Sequence, residues 1–120
     1  MIEIGILTLE ESEIAPLFRA YPPETARRLF DSGKTPLTHI VLVEESDIDA
    51  ALESAYAAGN HHPGPKTRTS HVRKARSTSV GDLLVVMNTG AVFLVASFGF
   101  EPMFTLGVME VRDLRAAVLA

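Results

Sequence analysis

The stretch "RSTSVGDLLVVMNTGAVFLVASFGFEPM", residues 76–103, has the clearest secondary-structure pattern of the chain. Its two apolar runs, "DLLVVM" and "AVFLVAS", flank Asn88-Thr89-Gly90 and predict a β-hairpin. A three-residue loop with glycine last is typical of a type I turn closed by a G1 bulge. A further strand is expected over about residues 104–111, and "RDLRAAVLA" predicts a short C-terminal helix. The C-terminal part is therefore predicted to be an antiparallel meander followed by a helix.

Two strands are predicted upstream of this hairpin. Ile2, Ile4 and Ile6 alternate with Glu3 and Gly5, which favours a strand over residues 2–7 with one buried face. The apolar, β-branched run "LTHIVLV", residues 37–43, is typical of a central strand.

Helices are expected between these strands. The apolar spacing in "SEIAPLFRAY" predicts a helix over residues 12–21, and a second, short helix ends at Gly33. Ser46 and Asp49 have the spacing of a capping box for a third helix, which ends at Gly59. Residues 60–79 lack any sustained period and are predicted to be a long basic loop.

These elements predict a single α+β domain over residues 1–120. The βαβ-like front half and the antiparallel back half favour a mixed sheet with a C-terminal antiparallel meander. Helices are expected to pack on one face of that sheet.

Composition excludes several classes of site. The chain has no cysteine, which rules out disulfides, cysteine-based zinc sites and thiol catalysis. It also lacks a signal-peptide pattern, and no apolar run approaches the ~18 residues of a membrane helix. We therefore expect a cytoplasmic protein with no membrane partner. No phosphate-binding glycine loop or dinucleotide motif is present, so no cofactor is predicted.

Charge is distributed unevenly along the chain. Residues 66–76 carry five cations and no acid, whereas the rest of the chain has six Lys and Arg against 15 Asp and Glu. Cations interleaved with Ser and Thr hydroxyls are the residue types that bind nucleic-acid backbones. The predicted nucleic-acid-binding residues are Lys66, Arg68, His71, Arg73, Lys74 and Arg76.

The same charge pattern fits two other interpretations. The cations could pair with acids of the same chain, such as Glu44 and Glu45, on a solvated loop, or they could bind an acidic protein partner. If all five cations met phosphate, the log–log salt slope of binding would be about −3.5 to −4.5.

One block of residues resembles a known family. Arg76, Ser77, Ser79, Val80, Gly81 and Asp82, followed by Phe98, Gly99 and Phe100, resemble the shared block of YodL-like domains and of small bacterial proteins found on plasmids and other mobile elements. The resemblance covers about residues 40–103. It implies a bacterial protein of a mobile element, but the family has no agreed activity to transfer.

The block residues have structural and functional interpretations. Gly81 allows a turn with positive φ, and Asp82 is expected to accept backbone N–H bonds there, with Ser79 and Gly99 as further motif positions. Phe98 and Phe100 flank Gly99 and are either core residues or candidate platforms for base stacking.

Four histidines complete the set of candidate residues. His61, His62 and His71 match no recognised zinc spacing, so no metal site is predicted. His39 and His71 could act as the acid and base of a metal-independent nuclease or phosphodiesterase, although the residues around them do not match the usual two-histidine motif. The sequence thus favours a small non-enzymatic binding protein that docks a polyanion. A protein-interaction module of the inhibitor or antitoxin type is the alternative, and the nuclease is a weaker one.

Overall fold

A six-stranded sheet forms the centre of the molecule. The computed structural model describes residues 1–10 and 21–119. Within these ranges the strands are β1 (Ile2–Leu7), β2 (Leu37–Val43), β3 (Thr67–His71), β4 (Leu83–Val86), β5 (Ala91–Val95) and β6 (Phe100–Thr105). The helices are α1 (Pro23–Asp31), α2 (Ile48–Gly59) and α3 (Val108–Leu119). The predicted α+β class is confirmed.

The sheet is antiparallel throughout the described residues, so the prediction of a mixed sheet was wrong. Its order is β3-β2-β1-β4-β5-β6, and each neighbouring pair is antiparallel. A parallel pair needs a crossover that returns the chain to the opposite end of the sheet. Here Leu7 at the end of β1 lies opposite Leu37 at the start of β2, so the chain re-enters the sheet where it left.

Helices cover both faces of the sheet, which corrects the prediction of helices on one face only. Helix α2 packs through Ala51, Leu52 and Ala55 on the face that presents Ile4 and Val41. Helices α1 and α3 pack on the other face, which presents chiefly leucines and valines: Leu7, Leu83, Val85, Val92 and Leu94. All four residues of β4 are buried, which requires cover on both sides.

The local predictions differ from the structure at three places. The predicted loop over residues 60–79 contains the edge strand β3. This strand is held by backbone pairing to β2, and its sequence shows no alternation of apolar residues. Strand β6 begins and ends earlier than the predicted range of about 104–111. It includes Pro102, because an edge strand tolerates a missing N–H, and residues 108–111 belong to α3, where the Glu110 carboxylate accepts the Gly107 N–H at the start of the helix. Helix α2 is capped by Asp47 rather than Ser46, since the Asp47 carboxylate accepts the Ala50 N–H at 2.9 Å.

Two predicted turns are confirmed, and one predicted helix lies almost entirely outside the described residues. The β4–β5 hairpin forms as predicted, with Gly90 at φ +84°, and Gly33 ends α1 at φ +72°. The helix predicted over residues 12–21 lies outside the described residues except for Tyr21. None of the described helices has both the length and the apolar character needed to span a membrane.

The two ends of the sheet differ in what they display. At one end, which we call the Asp82 end, lie the last residue of β3, the start of β4 and the turn that joins β5 to β6. The opposite end carries the β4–β5 turn and the start of α3. His71, Arg73, Lys74, Asp82 and Phe98, which the sequence singled out, lie at or next to the Asp82 end.

Candidate anion-binding groove

A buried ion pair organises the Asp82 end. Asp82 is 0% exposed, and its carboxylate oxygens accept hydrogen bonds from Arg76 Nη1 at 2.9 Å and from Nη2 at 2.8 Å. Arg76 also donates to the Leu9 carbonyl at 2.7 Å and to the Ser79 hydroxyl at 3.1 Å. A guanidinium held in a bidentate pair with a carboxylate is not available to a phosphate.

The same carboxylate fixes the backbone around it. Asp82 accepts the Leu9 N–H at 2.8 Å and the Ser79 N–H at 2.9 Å. Gly81 has φ +99°, which a residue with a Cβ rarely adopts, and its carbonyl accepts the Tyr21 hydroxyl at 2.6 Å. Burial, and secondarily the Asp82 charge, raises the pKa of Tyr21 well above its usual range. Ser79, Gly81 and Asp82 therefore close the turn before β4 and clamp it to the end of β1.

Arg76 is therefore not one of the cations that can bind phosphate, which corrects the prediction. Its side chain is 23% exposed and is committed to Asp82, whereas the prediction required a free guanidinium. The sequence contained a signal for this pairing: Asp82 is the single carboxylate between residues 61 and 100, six residues after the last cation.

Two other cations line a groove beside this pair. Arg73 and Lys74 are exposed and border a groove of about 520 Å³, together with residues 8–10, Pro36, Thr38 and Arg76. The Val72 N–H donates to the Thr38 carbonyl at 2.8 Å, so the chain beyond β3 stays bonded to β2 up to the cations. Among the described residues, no carboxylate lies within 4.0 Å of either cation.

The remaining predicted cations lie elsewhere. Lys66 and Arg68 border a small depression with Met1 at the opposite end of β3, and Lys66 is 3.8 Å from Glu45. That contact is an exposed ion pair of the kind that contributes little to stability. The structure thus brings together Arg73 and Lys74 but separates them from Lys66 and Arg68.

His71 points away from Arg68 and packs against a buried histidine. It lies opposite His39 in the β2–β3 pair, with ring centroids 4.8 Å apart and an edge-to-face angle of 64°. His39 is 4% exposed, and its Nδ1 is 2.8 Å from the Thr38 hydroxyl. Burial lowers the pKa of His39, and the nearby charges of His71 and His61 lower it further.

This geometry does not favour the nuclease hypothesis. Two histidines that share a phosphodiester as acid and base must both reach it, whereas His39 is buried behind His71. Within residues 1–10 and 21–119, no group of three or more His, Asp or Glu side chains is arranged to hold a metal ion.

The two candidate stacking residues are in different environments. Phe98 is 97% exposed in the turn between β5 and β6, where Gly99 has φ +78°. Phe100 is half-buried and packs edge-to-face on Tyr56 of α2, with centroids 6.4 Å apart. Phe100 is therefore partly buried against the core, and of the two phenylalanines Phe98 is the one available for stacking.

Sequence reasoning missed the residues that complete this end of the sheet. Leu9 acts through its backbone, Tyr21 through its hydroxyl, and Thr38 through its bonds to His39 and to the Thr8 hydroxyl at 2.7 Å. Main-chain donors and acceptors leave no mark in a sequence, so the contacts of Leu9 with Asp82 and Arg76 could not have been found. Tyr21 could have been suspected, because a buried tyrosine usually finds a partner for its hydroxyl.

Comparison with known proteins does not supply an activity. The chain matches no family model, no curated protein and no solved structure. The resemblance to YodL-like domains stays a prediction, and the function has to be argued from the geometry of the groove.

Proposed function

We propose that this protein is a non-enzymatic binding protein that docks a polyanion, in the first place nucleic acid, in the groove bordered by Arg73 and Lys74. The observation that carries the proposal is the pairing of these two exposed cations over one groove, without a described carboxylate within 4.0 Å. Such a site attracts phosphate backbones because counterions are released when the cations replace them.

The local charge balance favours an anion. The described lining of the groove contains one carboxylate, Glu10, which lies 3.8 Å from Lys34, and its third cation, Arg76, is paired with Asp82. Arg73 and Lys74 therefore contribute the unbalanced charge of the described groove residues, which is positive. The Arg76–Asp82 pair also bonds the backbone of Leu9, which borders the same groove.

The test is the salt dependence of binding. Two phosphate contacts predict a log–log slope of about −1.4 for single strands and about −1.8 for duplex, which is much shallower than the slope expected for five cations. Fluorescence anisotropy with labelled DNA over a range of salt concentrations measures the slope. The double variant Arg73→Gln/Lys74→Gln should lose most of the affinity and flatten the slope.

A matched control is provided by the other end of β3. The double variant Lys66→Gln/Arg68→Gln removes the same charge from the same segment but leaves the groove intact. It should keep the wild-type slope. Equal losses in the two double variants would mean that net charge alone drives binding, and the groove would then have no special role.

The alternative of an acidic protein partner makes a different prediction. Poly-L-glutamate supplies carboxylates in place of phosphates and tests this alternative in the same assay. Tighter binding of polyglutamate than of DNA at equal charge would favour a protein-interaction module over nucleic-acid binding.

A further inference from the structure

An exposed aromatic side chain lies at the same end of the sheet as the groove. Phe98 occupies the β5–β6 turn, and this turn and the end of β3 both belong to the Asp82 end. Single apolar residues are ordinary on protein surfaces. The position of Phe98 relative to the cations, rather than its exposure, is therefore the informative feature.

A continuous segment links the groove to Phe98. Arg76 borders the groove, and Val80 borders a second depression of about 190 Å³ together with Ser97 and Gly99, the neighbours of Phe98. Four residues in extended conformation span at most about 14 Å. Arg76 on the border of one depression and Val80 on the border of the other are therefore at most about 14 Å apart along the chain.

The linking segment is polar and accessible. Ser77 and Ser79 are exposed between the groove and the Phe98 turn, and residues 76–80 contain no carboxylate. Hydroxyl groups are common donors to phosphate and sugar oxygens. Phosphates could thus run from Arg73 and Lys74 along the serines without meeting an acid on residues 76–80. The depression beside Phe98 is also bordered by Glu53, so that part of the site suits an uncharged base rather than a further phosphate.

We infer that the polyanion bound by this groove is a single-stranded nucleic acid, with phosphates on Arg73 and Lys74 and a base stacked on Phe98. The inference rests on the proposed function. Cations that follow a backbone, combined with an aromatic side chain that receives a base, are the features of single-strand binding sites. In a duplex the base faces are covered by their neighbours, and polyphosphate has no base at all, so neither ligand gains from Phe98.

The experiment compares three polyanionic ligands, at equal concentrations of phosphate groups, by fluorescence anisotropy or competition. They are an oligothymidylate of about a dozen nucleotides, the duplex that it forms with oligoadenylate, and inorganic polyphosphate. The variants are Phe98→Ala and Arg73→Gln/Lys74→Gln. Val108→Ala is the control, because Val108 is 86% exposed at the opposite end of the sheet.

Phe98→Ala should weaken binding of the single strand about tenfold. It should leave the salt slope unchanged, because no charge is removed, and it should leave polyphosphate binding unchanged. Val108→Ala should behave as wild type with every ligand. Since Phe98 is almost fully exposed, its replacement is not expected to affect folding, and circular dichroism checks this.

Two failures can be told apart. If Arg73→Gln/Lys74→Gln weakens all three ligands while Phe98→Ala changes none, the proposed function stands and the single-strand inference is overturned. If Arg73→Gln/Lys74→Gln changes nothing, the proposed function fails and the inference fails with it. Equal weakening of oligothymidylate and polyphosphate by Phe98→Ala would also overturn base stacking.

Discussion

Replacing Arg76 by Met should severely destabilise the fold. The substitution retains most of the aliphatic length but removes the guanidinium that Asp82 faces at 2.8 and 2.9 Å. The fully buried carboxylate would then keep only the Leu9 and Ser79 N–H donors. A buried charge without its partner is among the few causes of large single-residue effects on stability.

The size of the effect follows from the lost contacts. Two hydrogen bonds to a charged group contribute about 1.5–3 kcal/mol each, and breaking one side of a buried ion pair costs about 3–5 kcal/mol. We expect the free energy of unfolding at pH 7 to fall by about 3–5 kcal/mol. That is a large part of the ~5–15 kcal/mol of a typical domain.

Urea denaturation of a double-mutant cycle measures this coupling. The cycle uses Arg76→Met, Asp82→Asn and the double variant. The double variant removes both charges, so it should recover part of the unfolding free energy that Arg76→Met loses. Arg73→Met is the control, and it should change the unfolding free energy by no more than about 0.5 kcal/mol because Arg73 is exposed. If Arg76→Met lost less than about 1 kcal/mol, or matched the control, the reasoning about the buried pair would be refuted.

Two further predictions concern the α2 face. Gly59→Ala should lower the unfolding free energy by about 1–3 kcal/mol, because a Cβ at Gly59 would lie 2.1 Å from Oγ1 and 2.9 Å from Cβ of the buried Thr78. Gly64→Ala meets no neighbour within 4 Å and should be neutral in the same urea titration; equal losses would contradict the steric argument. Stability should also fall as pH drops below about 6.5, since the lowered pKa of His39 makes the unfolded chain bind protons first. His39→Gln should flatten this pH dependence, and an unchanged slope would show that other groups cause it.

Much of the fold was predictable because it depends on local patterns. The β1 and β2 bounds, the β4–β5 hairpin and the C-terminal helix follow from alternation, β-branched runs and turn glycines. Strand β3 was missed because it is held by backbone pairing at a sheet edge, for which "TRTSH" has no apolar signal. The mixed-sheet prediction failed for a related reason, since sequence order does not specify at which end a connection re-enters the sheet.

The candidate site was only partly predictable. The cationic segment could be located from charge alone, but the order of charges along a sequence does not specify which way each cationic side chain points in the folded protein. Folding divides its five cations into three groups: Arg76 is paired with the buried Asp82, Lys66 and Arg68 lie at one end of β3, and Arg73 and Lys74 border the groove.

Sequence patterns alone were enough to predict the type of most helices and strands, the α+β class and the location of the excess positive charge, because these depend on residues close together along the chain. Only the tertiary structure decided which cations face solvent, because that depends on a carboxylate brought to Arg76 by the turn before β4. It also determined that His39 is buried, that Phe100 is half-buried against Tyr56 and that Phe98 is exposed, since burial depends on which element packs above each position.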